Sequence, residues 1–504
     1  MLFSLFLAIL SLTGLASGTD SSRSTYDFAP VRSFILRTLA EKRVPSISVA
    51  VAKNGQILWE EAFGLADREK MTLATPQTIY SLASITKPFT ATAVMELLEK
   101  QKIDLDRPIN DYLGNAKLTG LAGDASAATI RRVLSHSAGL PLHYHFFYEN
   151  SGDELPDMAE TIERYGIIVH PPGLVWEYSN LGYGILGYAV SCVSQLDYAD
   201  YLRTQVFLPL GMTHSFVGIG SGLHPYAQRY DEEQRLLPWF DFDHRGASAI
   251  YATAHDLVRF GMFHLKDHLK DQEPILKDAT LDTMKIAANT TATAGAQHKV
   301  AYGLGWQINP DDHGYLEVGH EGAMTGATTI LNLYPKEDLA IVVLANTFNE
   351  NAVVDTAQQI AAAVLPKYAA ALHAPGAPNV KPPETKLQPT SDLLGQWVGS
   401  LHTWHRTIPL SLTFQPDGDI HVKVGDELET LLNEIVYKDG NLMGRFAGTI
   451  PTPDTTRHPH TIQLNVFLRN GKLSGEASAV TWDTPLNYFA LSSYVELSKK
   501  IATK

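Results

Sequence analysis

The chain has 504 residues, 45% of them hydrophobic, and carries 40 Lys and Arg against 54 Asp and Glu, a net charge of −14. This length implies two or three domains, each with a core that needs no metal or disulfide to hold it together. An acidic chain without basic runs repels phosphate backbones, which excludes nucleic acid as a partner, and the single Cys192, set in an apolar stretch, excludes an intrachain disulfide and reads as a small buried thiol.

Residues 1–18 are almost wholly apolar, end in small residues and give way to Thr19-Asp20-Ser21-Ser22. That is the pattern of a secretory signal cleaved near Gly18. A retained anchor is the competing reading, but the run is short and no later apolar stretch can span a bilayer. The expected mature protein is therefore secreted or periplasmic, with no stable membrane span. Residues 28–42 place Phe28, Val31, Phe34, Ile35 and Leu39 at helical spacing. A hairpin follows: Ile47, Val49 and Val51 alternate with small residues, Asn54-Gly55 is a favoured two-residue turn, and Ile57-Leu58-Trp59 begins the return strand. Residues 89–100 predict a helix with Val94, Leu97 and Leu98 on one face, and helical signals dominate from about 103 to 290. Strand patterns return at 315–345, and a last helix occupies roughly 350–365. Strands thus open and close a layered α/β domain whose sheet is assembled from both ends of the segment. Six prolines in 366–390 predict a linker. Residues 391–500 read as short strands with turns at Asp417-Gly418, Asp439-Gly440 and Asn470-Gly471, a small antiparallel barrel or sandwich.

Three short patterns carry chemistry. In Ser84-Ile85-Thr86-Lys87-Pro88 the serine and lysine are three apart, so a helix brings them onto one face. Proline is tolerated in a helix's first turn, so the helix begins close to Ser84. There the dipole and free N–H groups favour a developing oxyanion, and a lysine of lowered pKa accepts the hydroxyl proton. In Tyr178-Ser179-Asn180, after Pro171-Pro172-Gly173, alternate residues of an extended segment face one cleft ahead of a helix beginning near Leu181. In His320-Glu321-Gly322-Ala323, between two strands, His320 is placed to bind a substrate carboxylate or polarise an oxygen, and Gly322 lets a substrate approach the backbone. A second Tyr-x-Asn at Tyr148-Glu149-Asn150 has no strong helix after it, and His244-Arg245-Gly246 precedes a helical pattern rather than strands, so both are set aside. His143, His145, His458 and His460 belong to no zinc motif and read as exposed loop histidines, and Asn289-Thr290-Thr291 is a glycosylation acceptor only in a eukaryotic source.

The order Ser-x-x-Lys, Tyr-x-Asn, His-x-Gly resembles that of the class C β-lactamases, the serine D-Ala-D-Ala carboxypeptidases and related esterases and D-aminopeptidases. Ala128–Pro141, Leu210-Gly211-Met212 and Tyr302–Trp306 are similar to the same superfamily, over about residues 26–365. The resemblance implies an α/β (α+β) fold of the β-lactamase/transpeptidase type: an antiparallel sheet flanked by helices, with a mostly helical insertion, followed by the appended β-domain. It implies that Ser84 attacks a carbonyl, that Lys87 and Tyr178 share proton transfer with either as base, and that Asn180 holds the substrate amide. The backbone N–H groups of Ser84 and Ala323 would form the oxyanion hole, His320 would stand where the lactamases have Lys, and Ser135, His136 and Ser137 would support the site. Neither a metal nor another cofactor is implied. The expected activity is hydrolysis of a small ester or D-amino-acid peptide through a Ser84 acyl-enzyme. A β-lactamase or D-Ala-D-Ala carboxypeptidase is the alternative, and a non-catalytic binding or assembly protein that keeps the fold is the reading from another class. The three intact motifs favour catalysis over the last.

Overall fold

The computed structural model describes residues 26–149, 151–218, 226–288, 301–372, 386–481 and 488–500. The expected signal at 1–18 and the acceptor Asn289 lie outside these residues, as does Asn150.

The helix Ala29–Glu41 buries Val31, Ile35 and Thr38, and the hairpin Ser46–Lys53 and Gln56–Asp67 turns at Asn54 and Gly55, whose φ of +51° and +70° are those of a tight two-residue turn. The strand Ser46–Lys53 also pairs antiparallel with Leu339–Ala345, in a register that sets Val49 opposite Val343. Early and late segments therefore meet in one eight-stranded sheet, in the order Ala301–Tyr302, Gln307–Asp312, Tyr315–Met324, Ala327–Tyr334, Leu339–Ala345, Ser46–Lys53, Gln56–Asp67, Thr72–Leu73. The helices Ala29–Glu41 and Glu350–Val364 close one face around Ile35, Val49, Val343 and Ile360. Against the other lie Thr86–Glu99 and Ala254–Leu265, where Phe89 stacks on Phe260 at 3.7 Å. Both faces are covered, which is why the central strands are apolar throughout rather than alternating.

The region between 103 and 290 is less uniformly helical than its sequence suggests. It contains the strands Tyr144–Tyr148 and Phe240–Phe242, which pair with each other. Cys192 is half-buried rather than enclosed. The predicted linker begins later than expected, because Pro366 starts the helix Pro366–Leu372, whose Tyr368 is buried under the first sheet. No helix among the described residues is long and apolar enough to cross a membrane.

The described residues of 395–499 form nine antiparallel strands. The two strands at the ends of the order, Thr430–Leu431 and Asn433–Lys438, are joined through Leu432 alone, so the sheet curls into a nearly closed barrel. Positive φ at Gly418, Asp439, Gly440, Asn470 and Gly471 marks the three predicted turns. The barrel is docked on the first domain: Phe489–Lys499 pairs with Tyr144–Tyr148 through Phe489 opposite His145 and Ala490 opposite Tyr144.

Candidate active site

Ser84 lies in a single 3-10 turn, Ala83–Ile85, that runs into the helix Thr86–Glu99, with Pro88 in its first turn. Two neighbours stitch the turn in place. The Leu82 N–H donates to Ile250 O (2.9 Å), and the Leu82 carbonyl accepts from Thr329 Oγ1 (2.9 Å). Ala83 sits at φ +47°, a left-handed conformation that costs a non-glycine residue about 1–2 kcal/mol. Its flanks are all buried, and Ser84 alone in the stretch Ser81–Thr90 keeps partial exposure.

One helical turn on, Lys87 is fully buried. Its Nζ lies 3.1 Å from Ser84 Oγ, 2.8 Å from Asn180 Oδ1 and 3.2 Å from the Ala247 carbonyl. Burial drives its pKa well below the usual lysine value, and no carboxylate is among these partners to oppose it. Asn180 is free for this contact because Ser179, not Asn180, caps the helix Asn180–Ser194: Ser179 Oγ accepts from Gly182 N and donates to Pro141 O. Tyr178 lies over the same amine, 4.6 Å from its ring centroid to Lys87 Nζ. Burial pushes this phenol up, and its hydrogen bond to Ser84 opposes the rise only in part.

The third pattern arrives on the edge of the strand Tyr315–Met324, where Glu321 and Ala323 are exposed while His320, Gly322 and Met324 are buried. His320 does not present its ring to the cleft. It is 1% exposed, its Nδ1–H donates to the Glu321 carbonyl (2.7 Å), and its Nε2 therefore accepts from Tyr302 Oη (2.9 Å). Burial and the nearby Lys87 push His320 down to about 3, so the imidazole is neutral. Gly322 also differs from expectation: the chain itself makes the close approach. A Cβ there would lie 2.2 Å from the Leu82 carbonyl and 2.3 Å from Thr329 Oγ1, so the glycine lets the strand close on the turn that carries Ser84.

Two participants have no direct role assigned from sequence. His136, at φ +58°, accepts the Ser179 N–H on Nδ1 (3.0 Å), and its ring lies 4.5 Å from that of Tyr178 and 4.6 Å from that of Tyr302. The stretch after His244, set aside for lack of strands, supplies the Ala247 carbonyl that holds Lys87. A signal for His136 is present in the stretch Ala128–Pro141. For Ala247 there is none, because a carbonyl contact is independent of side-chain identity.

The histidine pair His143 and His145 is a correction. Both are buried, on and beside the strand Tyr144–Tyr148, and His458 and His460 are half-buried at the barrel contact. His143 Nε2 and His244 Nδ1 lie 2.8 and 2.6 Å from the two oxygens of Asp243, a grouping within reach of one metal ion. Metal-bound histidines donate their second ring N–H to an acceptor, yet His143 Nδ1 and His244 Nε2 have no hydrogen-bond partner among the described residues. The group fits instead a buried carboxylate solvated by two imidazole N–H donors. Burial alone would raise Asp243, but the two histidines outweigh it and hold the carboxyl well below the usual range.

Residues 31–365 match the Beta-lactamase family profile. Protein flp of Staphylococcus aureus (strain N315) is 27% identical over 319 residues, which are 62% of this chain and 61% of that protein. Penicillin-binding protein 4* of Bacillus subtilis (strain 168) is 27% identical over 356 residues, covering 65% and 74%. Among solved structures, SurE with D-Leu aligns over 94% of this chain and 99% of its own, at TM-score 0.61 and 21% identity. The octameric penicillin-binding protein homologue from Pyrococcus abyssi aligns over 92% and 100%, at TM-score 0.57 and 22% identity. A class C beta lactamase from Rhodobacter sphaeroides aligns over 65% of this chain and 97% of its own, at TM-score 0.54 and 21% identity.

Proposed function

Since this chain belongs to the Beta-lactamase family, a family of serine hydrolases, we propose that it hydrolyses a small ester or amide through a covalent acyl-enzyme on Ser84. The observation that carries the reading is the Lys87 amine, buried without a carboxylate partner and 3.1 Å from Ser84 Oγ. In the step proposed, Ser84 Oγ bonds to the substrate carbonyl carbon as its proton passes to the neutral Lys87 amine. The oxyanion sits against the backbone N–H groups of Ser84 and Ala323. Tyr178, held as a phenol by burial, hands a proton to the departing alkoxide or amine and is recharged from Lys87. Water then attacks the acyl carbon by the reverse path and frees Ser84. Lys87 is thus the base and Tyr178 the relay, with Asn180 holding the lysine as well as the substrate amide.

A buried, neutral His320 bonded to Tyr302 provides no cation for a substrate carboxylate. That favours esters and neutral amides over penicillins and D-Ala-D-Ala termini. The alignment with SurE, solved with D-Leu, keeps D-amino-acid amides and peptides as the second substrate class. The apolar stretch at 1–18 supports export. The test is a panel of p-nitrophenyl esters, D-alanine p-nitroanilide and nitrocefin, with a fluorophosphonate label on the wild type and on Ser84→Ala. Turnover of esters or D-amides with labelling lost in Ser84→Ala is expected. Folded wild type that neither labels nor turns over any of them would establish the binding-protein reading.

A further inference from the structure

Between the active-site loop and the barrel lies a set of buried polar groups that the proposed reaction does not use. Glu177 directly precedes Tyr178. Its Oε1 accepts from Asn465 Nδ2 (3.2 Å) on the barrel strand Thr461–Arg469, and Glu476 stands opposite Asn465 on the neighbouring strand Lys472–Thr481. Oε2 of each carboxyl is buried with no donor among the described residues, and the two carboxyls act on each other closely enough to share a proton. Two ionised carboxylates have no proton to share, so this contact exists only while one of them is protonated.

Above the pKa of His170, no charged group among the described residues is seen to compensate the pair. His170, from the start of the same loop, brings Nε2 to 2.9 Å from Glu177 Oε2 without hydrogen-bonding alignment, and its ring meets that of Phe467 at 5.2 Å. Burial pushes His170 down to about 4, so it is neutral above that. From the barrel, Arg469 lies over Phe467 rather than against either carboxylate, and Ser492, on Phe489–Lys499, hydrogen-bonds Glu476. From the first domain, Arg132 packs under Gly173 and donates to Ala127 O. The loop's other end is fixed by backbone: Glu177 N–H donates to His136 O and Gly173 N–H to Ser137 O. The carboxyl pair is thus where the barrel grips the residue beside the phenol.

We propose that Glu476 is a positioning residue for Tyr178, and that the Glu177–Glu476 pair is a proton-dependent latch that holds barrel and active-site loop together and lets go when its shared proton is lost. The Tyr178 half of this rests on the proposed function; the latch does not. The sign follows from burial, which pushes Glu177 up to about 7 and Glu476 well above the usual carboxyl range. The docked form binds more protons than the undocked one, so docking weakens as pH rises from the ordinary carboxyl range through neutrality.

The test compares wild type, Glu476→Gln and Glu476→Ala in the full chain, by thermal unfolding at pH 6–9.5 and by pH–rate profiles on a p-nitrophenyl ester. The side-chain amide introduced by Glu476→Gln offers an N–H to the Glu177 carboxylate at every pH. Wild type is expected to lose about 3 °C or more of melting temperature relative to Glu476→Gln between pH 7 and 9.5, and the alkaline limb of the Glu476→Gln variant moves upward. Glu476→Ala should lose kcat more than KM at neutral pH. Parallel melting curves for wild type and Glu476→Gln would overturn the latch, and wild-type kcat in Glu476→Ala would overturn the positioning role. A melting difference without ester turnover in any of the three supports the latch and sinks the catalytic reading instead.

Discussion

Replacing Gly322 by alanine tests how tightly the strand Tyr315–Met324 must close on the turn that carries Ser84. The added Cβ would stand 2.2 Å from the Leu82 carbonyl oxygen, where carbon–oxygen contacts settle at about 3.3 Å. The strand must therefore retreat by about 1 Å from the turn that carries Ser84. Trimming Thr329, the other close atom at 2.3 Å, gives no relief, because the Leu82 oxygen is backbone. Overpacking of this kind costs about 1–3 kcal/mol of stability. The retreat also moves Ala323 N–H, the proposed second oxyanion donor, and a misplacement of that size lowers rates by about a hundredfold. Gly322→Ala should thus remain folded, melt lower, and lose about two decades in kcat with little change in KM. The assay is p-nitrophenyl ester turnover beside circular-dichroism melting, with Gly322→Ala/Thr329→Ala as the control that should not recover. A folded Gly322→Ala with wild-type kcat would refute the argument.

Lys87→Met removes the proposed base and should slow fluorophosphonate labelling of Ser84 by about 10²–10⁴-fold. It should also flatten the stability–pH curve, since a buried lysine of lowered pKa makes the wild type more stable as pH rises toward the free-lysine range; urea titrations at pH 6 and 9 measure this. Tyr302→Phe leaves His320 Nε2 without its donor and should cost about 1 kcal/mol in urea unfolding; an unchanged midpoint would show that His320 finds another donor. Ser179→Ala removes the cap from Gly182 N and the donor to Pro141 O, which should cost about 1–2 kcal/mol, while Ser179→Thr restores most of it.

What the sequence disclosed follows from how local each signal is. The Asn54-Gly55 turn, the helix that admits Pro88 only near its start, and the hydrophobic strands at 315–345 are set by neighbours in the chain, and the structure follows them. Ser84 and Lys87 are one turn apart, so their contact is legible too. Non-local contacts are less so. Burial of His143 and His145 depends on pairing with Phe240–Phe242 and on the docked barrel, about 100 and 340 residues away in sequence. The role of Gly322 differs from its sequence reading because a glycine between strands signals close approach but not what approaches. Glu177 and Glu476 are ordinary acidic residues until the fold removes them from water together.

Proton occupancy links these pieces into one expectation for the pH–rate curve. Lys87 must be neutral to take the Ser84 proton, so activity rises as pH passes its lowered pKa. Burial holds the imidazoles of His136 and His320 neutral to well below the usual histidine value, and Lys87 adds to this whenever it is protonated. The acid limb therefore belongs to the amine, though two histidines lie in the site. On the other side Tyr178 stays a phenol, since burial pushes it up, while burial raises the carboxyls of Glu177, its neighbour in the chain, to about 7 and of Glu476 well above the usual carboxyl range. A bell-shaped profile is expected, its acid limb abolished in Lys87→Met with the residual activity, and its alkaline limb displaced by Glu476→Gln alone. An acid limb that shifts when His136 is replaced by a residue without a titratable ring would assign it to the imidazole and remove Lys87 as the base.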